Sequence, residues 1–555
     1  MRKLPAVLLL IVLLLFAFAL AEQDEVRILV IETTDIHGYI MDASSGNPDT
    51  FQYRLAYIAG RVSEARASGE YDDVLLLDGG DLYQGTPVSN MTGGAAVRAV
   101  LDVMHYDAVA LGNHEFDWDV TEYAVDEDAT VAPYVLGDFF GDPKIPVLAP
   151  GLYDAATGER VSFTRDYVML EKAGKRIAIV GYIPDYRGTI MSEKIAPYTI
   201  DKNIFHLKDL IAKVNETEHP DATVVLGHQK PAEFLYTLDP AQVTLVAGGH
   251  SHENWSGVAK NGIPYIQGNS YATGYASAVL VFSADGSVRV EDPVYTGITD
   301  NKALLYDTPE NAAHLDPEIM EISHAAWNAI REEMEEVLGY IDTPVDKPKA
   351  AAPCSAGNWI TGLMLRYARE YGAVAAFYNW GGIRASLDIP KHQNTRNITV
   401  YDVYSITPFG NYVLIFEVTG AELAQQLVNS LKNPNHGDQV SGLTYTYTAT
   451  GDADTPKDER EYEILSIMLD SGISVDPLDT QTVYRICTTD YSATVRGSVL
   501  EDKEPVIPES DAPVDFELFI RLLREEGQQN NGYIYVDDNP HAVRVPLPGQ
   551  EIPAA

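Results

Sequence analysis

Short apolar runs recur through the first half of the chain, at Ile28–Ile31, Val74–Leu77, Ala108–Leu111, Ile177–Val180, Val224–Leu226 and Val243–Val246. Each has the length of a buried strand rather than of a helix. Between several of them the apolar positions switch to helical spacing, as in Phe51–Ala67, Ala95–Met104 and Phe205–Val214. Strands alternating with helices predict an α/β domain, here over residues 26–300. Asp316–Ile341 then reads as one long helix, and its high charge predicts a solvated one. The segment Asp342–Pro348, with prolines at 344 and 348, ends it. Residues 316–348 are therefore expected to form a linker helix and hinge. A second α/β domain is predicted over 349–547, with strands near Val374–Tyr378, Tyr412–Val418, Leu443–Tyr447 and Thr482–Cys487.

Met1-Arg2-Lys3 is basic, Leu4–Ala21 carries no charge, and Ala19-Leu20-Ala21 has the small-x-small form of a signal-peptidase site. Residues 1–21 are expected to be a cleaved export signal, with an uncleaved anchor as the rival reading. The expected location is secreted, periplasmic or cell-surface, with no stable membrane anchor after cleavage. The chain has 555 residues and a net charge of −42, which argues against nucleic acid as a partner. Its 2 cysteines exclude a disulfide scaffold and a thiolate zinc cluster, although Cys354 and Cys487 could pair outside the cytoplasm.

The chemistry gathers where the first-half strands end. Five runs lead into polar, Gly-bearing turns: Thr34-Asp35-Ile36-His37-Gly38, Asp78-Gly79-Gly80-Asp81, Gly112-Asn113-His114-Glu115, Gly227-His228 and Gly248-Gly249-His250-Ser251-His252. In α/β sheets ligands bind beyond the carboxyl ends of strands. A single histidine at such an end is usually structural; five such turns in one domain point to a metal site. Carboxylate, carboxamide and imidazole without thiolate suit Mn²⁺, Zn²⁺ and similar ions. The set exceeds what one tetrahedral ion needs. Two ions sharing a carboxylate can activate water and hold phosphoryl oxygens, which suits hydrolysis of phosphate esters.

The series of turns resembles the calcineurin-like metallophosphoesterases. Gly112-Asn113-His114-Glu115-Phe116-Asp117 narrows the resemblance to their 5′-nucleotidase / UDP-sugar hydrolase branch, which includes 2′,3′-cyclic-nucleotide phosphodiesterases. Asn379-Trp380-Gly381-Gly382-Ile383-Arg384 and Pro408-Phe409-Gly410-Asn411 resemble two further motifs of that branch. The resemblance covers residues 26–527. It implies an N-terminal four-layer αββα metallophosphoesterase domain, a linker helix and a C-terminal α/β substrate domain. It implies that Asp35, His37, Asp81 and His252 bind one divalent ion and Asp81, Asn113, His228 and His250 a second. His114 would contact the transferred phosphoryl group and Asp117 would orient it. In the second domain Phe409 and Tyr491 would clamp a nucleobase, and Asn379, Gly382, Arg384 and Asn411 would contact the substrate.

Two positions depart from the family pattern. Val495-Arg496-Gly497 stands where the family carries an aspartate that holds ribose, and Ala350 stands where it usually carries an arginine, for which Lys347 or Lys349 would be substitutes. The expected activity is removal of phosphate from nucleotides or related small phosphate esters. The alternatives are a cyclic-nucleotide phosphodiesterase, a hydrolase of non-nucleotide phosphoesters, or a non-catalytic metal-bearing surface protein.

Overall fold

The apolar runs of the first half become the middle strands of two six-stranded sheets in the computed structural model. It describes residues 25–43, 48–117, 145–184, 190, 195–201, 204–348, 352–433, 437–451, 455–494, 498–501, 503–508 and 511–546. The expected export signal, Lys349 and Ala350, and Val495-Arg496-Gly497 lie outside the described residues. Contacts divide the chain into two units. One is Met1–Tyr83, Thr92–Tyr186 and Ala196–Ala326; the other is Gln84–Met91, Arg187–Ile195 and Trp327–Ala555.

In the first unit, Val26–Thr33, Asp73–Asp78, Ala108–Ala110 and Val147–Leu148 lie side by side and parallel. In its second sheet, Lys175–Tyr182, Ala222–Gly227, Leu245–Ala247 and Pro264–Gly268 do the same. The sheets share a core of Ile28, Val30, Leu75 and Leu77 with Ile179, Val224, Leu226 and Leu245. On the far face of the second sheet, the helix Ile204–Glu218 sets Leu207, Ile211 and Val214 against Ala178, Val180 and Val225. Those three helix positions recur at helical spacing, and each buried aliphatic chain contributes about 1.5–3 kcal/mol. The helix Arg54–Ser68 packs on Asp73–Asp78 from the other side. The result is helix, sheet, sheet, helix. Because both faces of the central strands are covered, they read as unbroken apolar runs.

Antiparallel strands at the sheet margins escape that reading. Gly274–Phe282 pairs with both Val26–Thr33 and Val288–Gly297. The strand Val288–Gly297 is partly exposed and charged, so it shows no apolar run. The signal that marks it is the turn Ser283–Ser287, where Asp285-Gly286 reverses the chain and Gly286 takes a φ of 86°.

The long helix predicted to Ile341 is shorter. It spans Pro317–Met334, and Val337–Ile341 is a strand antiparallel to Arg396–Thr399. Valine, tyrosine and isoleucine favour the extended form. Gly339 lets the strand approach closely: a side chain there would meet the Gly532 carbonyl. Nor is the helix solvated all round. Ile319, Met320, Ser323, Trp327, Ile330 and Met334 are buried, which is one amphipathic face.

The second unit has a four-stranded sheet in the order Val413–Thr419, Val483–Thr489, Ala373–Asn379, Asp438–Ser441. Its core joins Phe377, Leu414, Phe416 and Ile486 with Leu423 and Leu427 of the helix Gly420–Lys432. A capping box at Thr419 and Glu422 starts that helix. Cys354 and Cys487 are both free, the first half-buried at a helix start and the second buried in a strand.

Candidate metal centre

Parallel strands deliver their carboxyl ends to one edge of each sheet, and the five reactive turns follow those ends. The structure brings their side chains into two groups. Asp35, His37, Asp81 and His252 form one, and Asp81, His228 and His250 form the other. Within each group the donor atoms lie within 4.8 Å of one another, and Asp81 belongs to both.

Asp81 Oδ2 lies 3.0 Å from His228 Nε2 and 3.8 Å from His37 Nε2, so one oxygen faces an imidazole of each group. Its Oδ1 accepts the backbone N–H of His114 at 2.9 Å. His37 Nε2 is 3.1 Å from His252 Nε2, and His252 Nε2 is 3.4 Å from Asp35 Oδ1. The remaining atoms are tied back. Asp35 Oδ2 accepts Thr34 Oγ1 at 2.7 Å and the His250 N–H at 3.0 Å. His228 Nδ1 lies 2.7 Å from the Gly79 carbonyl. A carbonyl only accepts, so Nδ1 carries a proton and Nε2 is the nitrogen turned toward Asp81 and toward any ligand.

The residues fit divalent cations on three observations. First, Asn113 is buried and its Oδ1 has no hydrogen-bond partner among the described residues. A buried acceptor left that way costs about 1–3 kcal/mol, which a cation would offset. Second, burial lifts the Asp35 carboxyl to about 7. Burial also opposes charge on His228, yet the carboxylates of Asp81, Asp35 and Glu115 outweigh it and push the imidazole up to about 10. The pocket thus favours added positive charge. Third, Asp35, His37, Asp81, His250 and His252 all take left-handed backbone, with φ from 48° to 70°. Such residues cost roughly 1–3 kcal/mol each and persist where the surroundings over-determine them, as at functional sites.

Glu115 carries no role in the sequence pattern, yet it organises two of the turns. It is buried, and its carboxylate accepts the backbone N–H groups of Asp81, Leu82 and Gly112 at 3.0, 2.7 and 2.7 Å. Burial, then the Asp81 charge, lifts it to about 7. Gly112 is required beside it, because a side chain at 112 would strike the Asp81 carboxylate. His114 starts a short 3₁₀ turn, His114–Phe116, and that turn places Asp117 beneath it. Their Nδ1 and Oδ2 atoms are 2.6 Å apart. The His114 ring lies 5.1 Å from that of His37.

Residues 28–254 match the family described as calcineurin-like phosphoesterase, and residues 337–499 match the 5′-nucleotidase C-terminal domain. The chain is a calcineurin-like phosphoesterase with a 5′-nucleotidase C-terminal domain. It is a metal-dependent phosphoesterase by that membership. It is 24% identical over 90% of its length to the trifunctional nucleotide phosphoesterase protein YfkN of Bacillus subtilis, of which it spans 34%. It is 24% identical to a 5′-nucleotidase of Diplobatis ommata, with 86% of this chain and 84% of that one covered. The crystal structure of a 5′-nucleotidase precursor from Thermus thermophilus has the same fold, with a TM-score of 0.71, 22% identity, and coverage of 94% of this chain and 99% of that one.

The C-terminal 5′-nucleotidase domain collects its motif residues at one end of its sheet. Val413–Thr419 runs antiparallel to Val483–Thr489, and Ala373–Asn379 runs parallel to the latter. The start of the first strand and the ends of the other two therefore coincide, which puts Asn379, Phe409, Asn411 and Tyr491 at the same sheet end. The Asp490 N–H donates to the Tyr412 carbonyl at 3.0 Å across this end. Asn411 Nδ2 and the Tyr378 hydroxyl both donate to Asp515 Oδ2, at 3.3 and 3.0 Å. Asn379 is buried with its Oδ1 unpartnered among the described residues, and that oxygen lies beside Gly382. The Arg384 guanidinium sits 5.4 Å from the Phe409 ring centroid. Gln84 and Asn90, which carry no signal in the sequence, donate to the Pro408 carbonyl at 3.3 and 2.8 Å.

Lys347 occupies the neighbourhood of Arg384. Its Nζ lies 3.9 Å from the Trp380 ring centroid, a cation–π contact. Burial, and then the Arg384 charge, lowers its ammonium to about 8.

Proposed function

We propose that this chain is a two-metal phosphohydrolase that works outside the cytoplasm and removes phosphate from nucleotides or related phosphate esters. The observation that carries the reading is a pair of donor groups joined through Asp81, with the His114–Asp117 pair beside them. Asp35, His37, Asp81 and His252 would hold one ion, and Asp81, Asn113, His228 and His250 the other. Bound ions would supply Lewis acidity and an activated water. His114 presents an N–H to the phosphoryl group, where negative charge develops, and the Asp117 carboxylate receives Nδ1–H and orients the ring. Phe409 and Tyr491 stack the base, Asn379, Gly382 and Asn411 frame it, and Arg384 holds an acidic group. The uncharged segment Leu4–Ala21 and its small-x-small end support export. Among the described residues no helix is long and apolar enough to cross a membrane.

Phosphate release from AMP, a nucleoside 2′,3′-cyclic phosphate, a UDP-sugar and an aryl phosphate, with Mn²⁺ or Zn²⁺, tests this reading. Release from AMP is the expected result. The departures at Ala350 and at Val495-Arg496-Gly497 favour the second reading, in which the cyclic phosphate or the aryl ester turns over faster. No release from any of the four overturns both and leaves a binding protein.

Two further outcomes follow for the second domain. Phe409→Ala is expected to raise KM for AMP about tenfold, the scale of roughly 1–3 kcal/mol for one stacking partner. Turnover of a small aryl phosphate should stay unchanged, and an equal loss on both substrates would mean a folding role instead. For Lys347, protonation below about 8 makes it a cation beside Arg384. The KM for an anionic nucleotide should therefore rise as pH passes about 8, by about tenfold for one charge-assisted hydrogen bond. Lys347→Arg should flatten that rise, because guanidinium stays charged. A profile unchanged in Lys347→Met would remove Lys347 from the site.

A further inference from the structure

The segment Asn269–Ala272 is held in a costly shape that the ligand set alone does not explain. Asn269, Tyr271 and Ala272 have φ values of 71°, 58° and 49°. For a bulky residue such as tyrosine a positive φ is an outlier. The chain fastens Tyr271 on both sides of its backbone. Its N–H donates to the Asp35 carbonyl at 2.7 Å, and its carbonyl accepts Arg54 Nη1 at 2.9 Å. Arg54 is itself buried, paired with Asp42 and set 5.2 Å over the Tyr39 ring. The outcome of this bracing is the position of one ring. Tyr271 lies edge-on to His252 at 5.1 Å, tilted against His37 at 5.6 Å, and backed by Tyr39 at 4.9 Å.

We propose that Tyr271 is a positioning residue for the ion that Asp35, His37, Asp81 and His252 would hold. His37 and His252 point their Nε2 atoms at each other across 3.1 Å. As ligands both turn Nε2 toward one point, and without a cation that geometry rests on a single hydrogen bond between the two rings. Rotation of either ring would break that bond and scatter the donors. The Tyr271 ring, wedged against both imidazoles, opposes that rotation, so the donor arrangement exists before the cation arrives. In the second group a different device orients His228, its Nδ1 bond to the Gly79 carbonyl. The two ion positions are thus supported unequally, and removal of Tyr271 weakens one of them.

This inference rests on the two-ion reading, and titration of the chelator-stripped full chain with Mn²⁺ by calorimetry separates the two. The parent isotherm tests the reading: two binding events support it, and a single event ends both the reading and the inference. The variants test the inference. Tyr271→Asn removes the ring while keeping a residue that accepts left-handed backbone. It should weaken one event by about 10–100-fold, the scale of losing an outer support of a metal site, and leave the other within about threefold. Tyr271→Phe keeps the ring and should match the parent. Equal weakening of both events, no weakening of either, or a Phe variant as weak as the Asn variant overturns the proposal. Tyr39→Ala, which removes the ring behind Tyr271, carries the same selective prediction at smaller size. It decides the matter if Tyr271→Asn does not fold, as judged by circular dichroism of the metal-free protein.

Discussion

Asp81→Asn is expected to reduce phosphate release by roughly 10³-fold and to lower the bound metal below two ions per chain. The size follows from breaking a buried charge set, which costs about 3–5 kcal/mol, at 1.36 kcal/mol per factor of ten. The substitution is nearly isosteric. The amide oxygen can still accept the His114 N–H that Asp81 Oδ1 accepts at 2.9 Å, and the Glu115 carboxylate still holds the backbone at 81. What is lost is the negative charge at Oδ2, the oxygen that faces both His228 and His37. His228, Asp35 and Asp81 balance one another, with the Asp81 carboxyl held well below its ordinary range by His228, His114 and His37 in spite of its burial. Neutralising residue 81 removes the one group common to both donor sets, so cation binding at both sets should weaken together. Metal analysis after dialysis, alongside AMP and aryl phosphate turnover, checks it. Activity within a few-fold of the parent would end the assignment of Asp81 as a shared ligand.

The contrast between Asp81 and Tyr271 shows what a chain displays of its site. Every proposed ligand lies in a turn directly after an apolar run, so strand and ligand are contiguous in sequence and the chemistry of the ligand type is visible in the letter. The same contiguity exposes the central strands, because covering both faces leaves no polar positions to interrupt them. Tyr271, Arg54 and Glu115 act through tertiary contacts instead. Tyr271 works through a left-handed backbone and two ring contacts, and Glu115 through three backbone N–H groups. None of these leaves a periodic pattern. Val337–Ile341 reads as helix because Glu335 and Glu336 extend the charged stretch before it. What decides its form is the partner strand Arg396–Thr399 and the close approach of Gly532, both distant in sequence. The antiparallel hairpin ending at Gly297 is legible only in its Asp285-Gly286 turn. In the second domain, Asn379, Arg384, Phe409 and Asn411 stand out as motif letters. Lys347 is legible only as one of two lysines that could replace the missing arginine; its place on the Trp380 face depends on the fold.

His114→Ala should separate catalysis from metal binding: kcat is expected to fall by roughly 10²–10³-fold, the size of losing one electrostatic stabiliser of the transition state, while metal content stays near that of the parent. The geometry explains why the two effects part. The bond from residue 114 to Asp81 Oδ1 comes from its backbone N–H, so alanine keeps it. The bond that alanine loses is the one between the ring Nδ1 and Asp117 Oδ2, at 2.6 Å. A carboxylate accepts only, so Nδ1 holds its proton toward Asp117, and Nε2 is the atom left to face substrate. Nε2 can donate there only when the ring is protonated, and Asp117 stabilises that cation. Asp117→Asn should then act in the same direction with a smaller loss, because the ring keeps its place but loses the carboxylate that receives Nδ1–H. KM for a small aryl phosphate should change little in either variant, since the ring contributes where charge develops rather than in ground-state binding. Steady-state kinetics with metal analysis on the same samples decides between the roles. If His114→Ala loses metal in proportion to activity, the imidazole is a ligand and not a phosphoryl contact.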